Sequence, residues 1–258
     1  MTLTRGVVGL WSTRPSERAA VVLTATESAR RARYRQPADR DRSGAGAALV
    51  RLAVREATGD AAADVARRCP GCDATDHGPT SVVGGGERGS WSVSLSHSGD
   101  LVTVAVARGV GAVGVDVEES CADVPAVASV LCRDDERGDD LAAPDPRAAL
   151  LARWVRKEAV LKAARVGLTV PMRHLAVSAA HEPARLRHWE PRTRPAGLDV
   201  GLVACADLPG DVLAQAGGDH RGAVAALATG PGPLRLAHRW VDARELEQVR
   251  PSATPAGT

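Results

Sequence analysis

Apolar and polar residues alternate along the middle of the chain. Trp91-Ser92-Val93-Ser94-Leu95-Ser96-His97 has a period of two, Leu101 to Ala107 is apolar throughout, and Ala112 to Glu118 alternates again. Period-two alternation marks a strand with two unlike faces. Ser98-Gly99-Asp100 turns after the first run and Arg108-Gly109-Val110-Gly111 after the second, so the three predict an antiparallel meander. Gly6 to Trp11 predicts an earlier strand, and weaker patterns predict short strands near 172–178, 199–205 and 222–228.

Helical patterns flank this centre. Thr24-Ala25-Thr26-Glu27 spells a capping box, which opens a basic helix through Tyr34. A second helix is predicted from about Arg42 to Glu56, with Leu49, Leu52 and Ala53 on one side, and a third from about Pro146 to Arg165. Residues 69 to 90 are rich in Gly, Pro and Ser and predict a loop around Gly84-Gly85-Gly86. No helix follows those glycines, so they make no phosphate loop. Residues 133 to 146 are acidic and carry proline, which predicts a surface loop; 251–258 predicts a flexible tail.

Composition narrows the picture. The 258 residues suffice for one large domain or two small ones. Apolar residues make up 44% and aromatics 2%, with no Phe and one Tyr, so a core must be built from Val, Leu and Ala. A net charge of +2, with arginines scattered outside Arg30-Arg31-Ala32-Arg33-Tyr34-Arg35, argues against a nucleic-acid partner. No apolar run reaches the length of a membrane span and no signal pattern opens the chain, so the expected compartment is the cytoplasm. The five cysteines are odd in number and fit reduced thiols. Cys69-Pro70-Gly71-Cys72 with His77 resembles half a zinc site. Cys121 and Cys132 supply no matching second half, which favours a thiol-bearing loop.

The basic residues point to chemistry. The chain has 31 arginines and two lysines, and both lysines fall in Trp154-Val155-Arg156-Lys157-Glu158-Ala159-Val160-Leu161-Lys162. A lysine kept in an arginine background suggests a need for a compact ammonium. Leu151, Trp154 and Leu161 form an apolar stripe, and Glu158 falls on it, four residues before Lys162. An acid on an apolar face is either paired or placed where it works; the plainer reading is a surface pair at i,i+4. Upstream, Gly114-Val115-Asp116-Val117-Glu118 puts Val115 and Val117 on one strand face and Asp116 and Glu118 on the other, roughly 7 Å apart along the strand. Such a pair can approach one hard cation, or simply face water. Ser96-His97 is not read as a serine hydrolase, because neighbours on a strand point to opposite faces and no Gly-x-Ser-x-Gly elbow is present. A phosphate contact by hydroxyl and imidazole is favoured over a structural histidine.

Ser96-His97-Ser98-Gly99, then Gly114-Val115-Asp116-Val117-Glu118, then Trp154-x-x-Lys157-Glu158-Ala159-x-x-Lys162, in that order, resemble the Sfp-type 4′-phosphopantetheinyl transferases. Leu23-Thr24-x-x-Glu27 through Arg33-Tyr34, Asp39-Arg40-Asp41-Arg42-Ser43, Leu49-Val50-Arg51 and Ala223-Val224-Ala225-Ala226 extend the likeness from about residue 5 to 228. The resemblance implies an α+β fold of two similar subdomains related by a pseudo-twofold, with the active site in the cleft between them. The halves would be 1–110, holding adenosine-phosphate contacts, and 111–250, holding the metal site and catalytic helix. It implies transfer of the phosphopantetheine arm of coenzyme A to a serine of an acyl or peptidyl carrier protein, releasing 3′,5′-ADP. It further implies Mg²⁺ held by Asp116, Glu118 and Glu158, Glu158 as base, and Lys162 stabilising charge on the pyrophosphate. Lys157 would be a second phosphate contact, Ser96 and His97 would touch the pyrophosphate, and Arg30, Arg42 and Ser43 the 3′-phosphate. Arg51 matches a basic position that could equally be structural. A monomer with no nucleic-acid or membrane partner is expected.

The sequence departs from that family at two places. His77-Gly78-Pro79-Thr80 lacks the basic residue usual in that loop, so one phosphate contact is either missing or supplied by Arg88 or another arginine, and Asp219-His220 replaces a Gly-Tyr pair; a weaker or altered grip on coenzyme A is expected, rather than loss of activity. A non-catalytic relative that binds coenzyme A or a carrier is the alternative, and a metal phosphohydrolase a third.

Overall fold

The computed structural model describes residues 1–69, 71–76, 78–86, 91–120, 127–227 and 234–252. In chain order the elements are β1 (Val7–Thr13), α1 (Ala25–Ala32), α2 (Pro37–Thr58), β2 (Asp64–Arg67), β3 (Thr80–Val83), β4 (Trp91–Ser98), β5 (Leu101–Arg108) and β6 (Val113–Glu119). Then come α3 (Ala128–Leu131), α4 (Asp134–Leu141), α5 (Pro146–Ala163), β7 (Leu175–Val177), β8 (Leu186–Trp189), β9 (Ala204–Asp207), α6 (Gly210–Ala214), β10 (His220–Ala226), β11 (Arg235–Trp240) and α7 (Ala243–Leu246).

Two antiparallel-rich sheets pack face to face, each covered outside by one long helix. The first has the order β11-β1-β5-β4 and the second β6-β10-β9. Alternation along each strand assigns its two faces. Trp11, Val102, Val104 and Val106 point to α2, where they meet Ala45, Leu49 and Ala53. Val8, Leu10 and Ala105 point the other way, against Val115, Val117 and Val224 of the second sheet. Ala223 and Ala225 of β10 then face α5, with Leu150 and Leu161. The aromatic-poor composition is met by an interior of Val, Leu and Ala, with Trp11 and Trp189 the largest fully buried side chains.

The capping box is present: Thr24 Oγ1 accepts from Glu27 N at 3.2 Å, and Glu27 Oε2 from Thr24 N at 2.8 Å. α2 starts earlier than expected because Pro37 suits the first helical turn, and it ends at Gly59, whose φ of 71° only glycine adopts freely.

Three expectations are corrected. The acidic stretch predicted as a surface loop forms α4, because Glu136 and Asp140 lie one turn apart and reach buried Arg153 of α5. The loop predicted over 69–90 contains β3, which pairs with β2 as a hairpin. The meander stops after β5, since β6 pairs with β10 instead. Along β4, the alternate serines Ser92, Ser94, Ser96 and Ser98 accept hydrogen bonds from Val113 N, Val115 N, Val117 N and Glu119 N at 2.9, 3.1, 3.3 and 3.1 Å. This hydroxyl ladder satisfies the β6 amides that a backbone neighbour would otherwise take, and it ties the β4 edge of the first sheet to the β6 edge of the second. A further difference concerns the chain end. β11 lies parallel to β1, and Leu246 and Val249 pack in the core under α2, so 235–249 return to the N-terminal sheet. Within the tail expected at 251–258, residues 253–258 lie outside the described residues. Among the described residues, no helix is long and apolar enough to cross a membrane.

Candidate functional site

A cleft of about 750 Å³ opens between the two halves. Its C-terminal wall is built by β6 and α5. Gly114 lets them touch: a Cβ there would fall 2.1 Å from Ala159 O and 2.4 Å from Ala163 N. That approach sets one turn of α5 directly on the strand that carries Asp116. Trp154, Glu158 and Lys162, spaced four apart, form the stripe of α5 that faces the cleft, while Leu151 and Leu161 of the expected stripe turn into the core.

Lys162 Nζ is held by Asp116 Oδ1 at 2.6 Å, Ser96 Oγ at 3.0 Å and Val115 O at 3.2 Å. Ser96 Oγ also donates to Asp116 Oδ1 at 2.8 Å, and Ser98 Oγ donates to Glu118 Oε2 at 2.7 Å. Each serine thus spends its acceptor on the β6 backbone and its proton on the neighbouring acid, which orients both carboxylates. Ser98, read beforehand only as a turn residue, does this for Glu118; its place in the Ser-x-Ser-x-Ser-x-Ser alternation of 92–98 was the available signal. Asp116 Oδ2 is buried without a hydrogen-bond partner among the described residues.

The three acids share one electrostatic environment. Burial pushes the Glu158 carboxyl above the usual range, and the charges of Asp116 and Glu118 push it further. Glu118 is raised by burial and by Asp116, with Ser98 opposing. Asp116 is raised by burial, with Lys162 and Ser96 opposing. His97 also lines the cleft, beside Ser96 despite the alternation; burial, then Arg42 and Lys162, hold its imidazole below its ordinary pKa.

The N-terminal wall brings in Arg30 and Ser43 as expected, together with Arg67 and Thr80. Arg165, at φ 59°, borders the C-terminal side. Sequence reasoning missed Arg67 and Arg165, since nothing local distinguishes them from other arginines. Arg42 is not brought into the lining; it donates to Gly99 O at 2.9 Å and Asp39 Oδ1 at 2.6 Å. Arg51 is structural: it is buried and gives Nη2 to both Glu27 oxygens, at 2.8 and 2.9 Å.

Lys157 corrects an expectation. It is fully buried on the far side of α5, donating to Leu131 O at 2.9 Å and pairing with Glu136, in a network that includes Arg153. One residue away from Glu158 is about 100° around a helix, so the two cannot both face the cleft, and Lys157 is no phosphate contact here. Gly78 and Pro79 border the cleft, while His77, Arg88 and Cys121 lie outside the described residues. Among the described residues no three His, Cys, Asp or Glu side chains are gathered closely enough to hold a metal as they stand. The zinc reading gains nothing from that.

Residues 112–213 match the ACPS family model, described as the 4′-phosphopantetheinyl transferase superfamily. The matched segment covers less than half of the chain but includes Asp116, Glu118, Glu158 and Lys162. It supports the superfamily, and with it a transferase of phosphopantetheine-related function, rather than one branch of it. A search among curated proteins returned no match.

Proposed function

We propose that the chain is an Sfp-type 4′-phosphopantetheinyl transferase, which moves the arm of coenzyme A to a serine of an acyl or peptidyl carrier protein. The observation that carries this reading is the ion pair of buried Asp116 with half-buried Lys162, beside Glu118 and Glu158, in a cleft whose lining comes from both halves. Two similar subdomains related by a pseudo-twofold, acting as a monomer, complete the reading; each half supplies one sheet and one covering helix.

The donor set fits Mg²⁺. The three acids supply hard oxygen donors on one cleft wall and raise one another's proton affinity, and Asp116 keeps one buried oxygen unpartnered among the described residues; to hold an ion they would have to draw closer than they stand. Asp116, Glu118 and Glu158 would hold the ion, which would neutralise charge on the coenzyme A pyrophosphate. The protein's own groups account for the remaining steps. Glu158 takes the proton from the carrier serine, and its raised proton affinity brings it nearer to a useful base. The serine oxygen attacks the phosphorus that bears pantetheine. The bond from that phosphorus to the bridging oxygen breaks, and 3′,5′-ADP leaves with the electron pair. Lys162 stabilises the charge that develops there. Ser96 and His97 contact the pyrophosphate.

The test is the intact mass of an apo carrier incubated with the protein, Mg²⁺ and coenzyme A. A gain of the phosphopantetheine mass that needs Mg²⁺ is expected. Coenzyme A bound without any gain would replace this reading with the non-catalytic one, and ADP released without a carrier would point to a phosphohydrolase.

A further inference from the structure

The turn that joins β4 to β5 is clasped from the second sheet. His220, the first residue of β10, pairs in register with Glu119, the last of β6. Alternation sends both side chains towards the first sheet, as it does Val224 on β10 and Val115 and Val117 on β6. There they meet Ser98 and Gly99. His220 Nε2 lies 3.3 Å from Ser98 O. The Glu119 carboxylate fills the space over Gly99, where a Cβ would fall 2.5 Å from Glu119 Cδ. Arg42 holds the same turn from α2, donating to Gly99 O at 2.9 Å.

His220 is only 3% exposed, and its Nδ1 has no hydrogen-bond partner among the described residues. A carbonyl can only accept, so Nε2 carries the hydrogen and, in the neutral ring, Nδ1 is a bare, buried acceptor. Such an acceptor costs free energy that an apolar ring of similar size would not. Packing alone therefore does not account for a histidine at this place; its donor does, and the donor is aimed at one atom. That atom belongs to Ser98, whose hydroxyl donates to Glu118 Oε2 at 2.7 Å and accepts from Glu119 N at 3.1 Å. Displacing Ser98 O displaces the hydroxyl of the same residue, and Glu118 with it. His220 itself does not line the cleft. Resting on the Mg²⁺-dependent reading above, we propose that His220 is a positioning residue, which fixes Ser98 and through it the orientation of Glu118 for the divalent ion.

Titrating Mn²⁺ into the protein with saturating coenzyme A, and reading the free ion by EPR, tests this without requiring turnover. His220→Phe keeps a ring and removes the donor; its Mn²⁺ dissociation constant is expected to rise about twofold to tenfold, the loss expected for one hydrogen bond. His220→Gln, whose amide can donate from near the place of Nε2, is expected to recover most of that affinity. Ser98→Ala should weaken Mn²⁺ binding too, and His220→Phe should add nothing further in that background. A histidine that only fills space would change Tm in His220→Phe and leave the Mn²⁺ constant where it was. That result would overturn the proposal, and so would full additivity with Ser98→Ala. Should His220→Phe fail to fold, ¹⁵N NMR of the wild-type ring decides: hydrogen on Nε2 is expected, and hydrogen on Nδ1 alone would leave Ser98 O without its donor and sink the idea. Wild type that takes up no Mn²⁺ would remove the proposal together with the metal. Mn²⁺ binding that His220→Phe weakens, in a protein that never modifies a carrier, would sink the transfer reading and leave the positioning role standing. Transfer with Mn²⁺ affinity indifferent to His220 would do the reverse.

Discussion

Replacing Gly114 with alanine probes the contact on which the site is built. The added Cβ would lie 2.1 Å from Ala159 O, 2.4 Å from Ala163 N and 3.0 Å from Lys162 C. The closest of these is about 1.3 Å inside ordinary contact at 3.4 Å. All three neighbours are backbone, so no side chain can swing away and α5 must move by on the order of 1 Å. Overpacking of this kind costs about 1–3 kcal/mol. At roughly 2–4 °C per kcal/mol for a chain of this size, Tm should fall by about 2–12 °C. The shift also carries Glu158 and Lys162 away from Asp116, and a misplacement of about 1 Å can cost around a hundredfold in rate. Calorimetric Tm and carrier-modification rate, measured together, check both. Gly138→Ala is the control: Gly138 is exposed on α4 with nothing within 4 Å of its virtual Cβ, so stability should rise by about 0.4–1 kcal/mol. A Gly114→Ala protein with wild-type Tm and rate would refute the argument that this glycine positions the helix.

Other outcomes follow from the same geometry. The carboxyls of Asp116, Glu118 and Glu158 are all raised, so the folded protein holds extra protons above the ordinary carboxylate range. Without divalent ions, Tm should therefore fall as pH rises through that window. Glu158→Gln should flatten this fall and raise Tm at pH 7, yet reduce transfer at least a hundredfold; a pH series of melts in chelator, with rates alongside, would show otherwise if the acid is merely structural. Lys157→Met breaks a buried ion pair and should cost about 3–5 kcal/mol while leaving the KM for coenzyme A unchanged; a stable variant with a raised KM would restore Lys157 to the site. Lys162→Arg should lower kcat about tenfold or more, because a planar guanidinium cannot present one nitrogen to Ser96, Val115 and Asp116 together; wild-type kcat would refute that.

The strands β4, β5 and β6, the capped start of α1 and the catalytic-helix candidate were all legible in the sequence, because alternation, capping and helical period are local properties of the chain. Glu158, on an apolar stripe, and Lys162, in an arginine background, were conspicuous too, whereas Asp116 and Glu118 read from the strand alone as an ordinary polar face. Partners distant along the chain were not legible. The alternate serines of β4 look like an ordinary polar face until β6 comes to lie beside them and takes each hydroxyl. Lys157 and Lys162 are equally rare in the sequence, yet the rotation of α5 sends one into the core beside Glu136 and the other into the cleft beside Asp116. The acidic stretch around α4 became a helix because its carboxylates had buried cations to meet, and β11 returned to the first sheet by a pairing with β1 more than two hundred residues away. Arg67 is one arginine among many until the hairpin turns it towards Arg30. Local periodicity and capping act through neighbours in sequence, whereas burial and charge pairing depend on which segments meet; only the folded arrangement decides that.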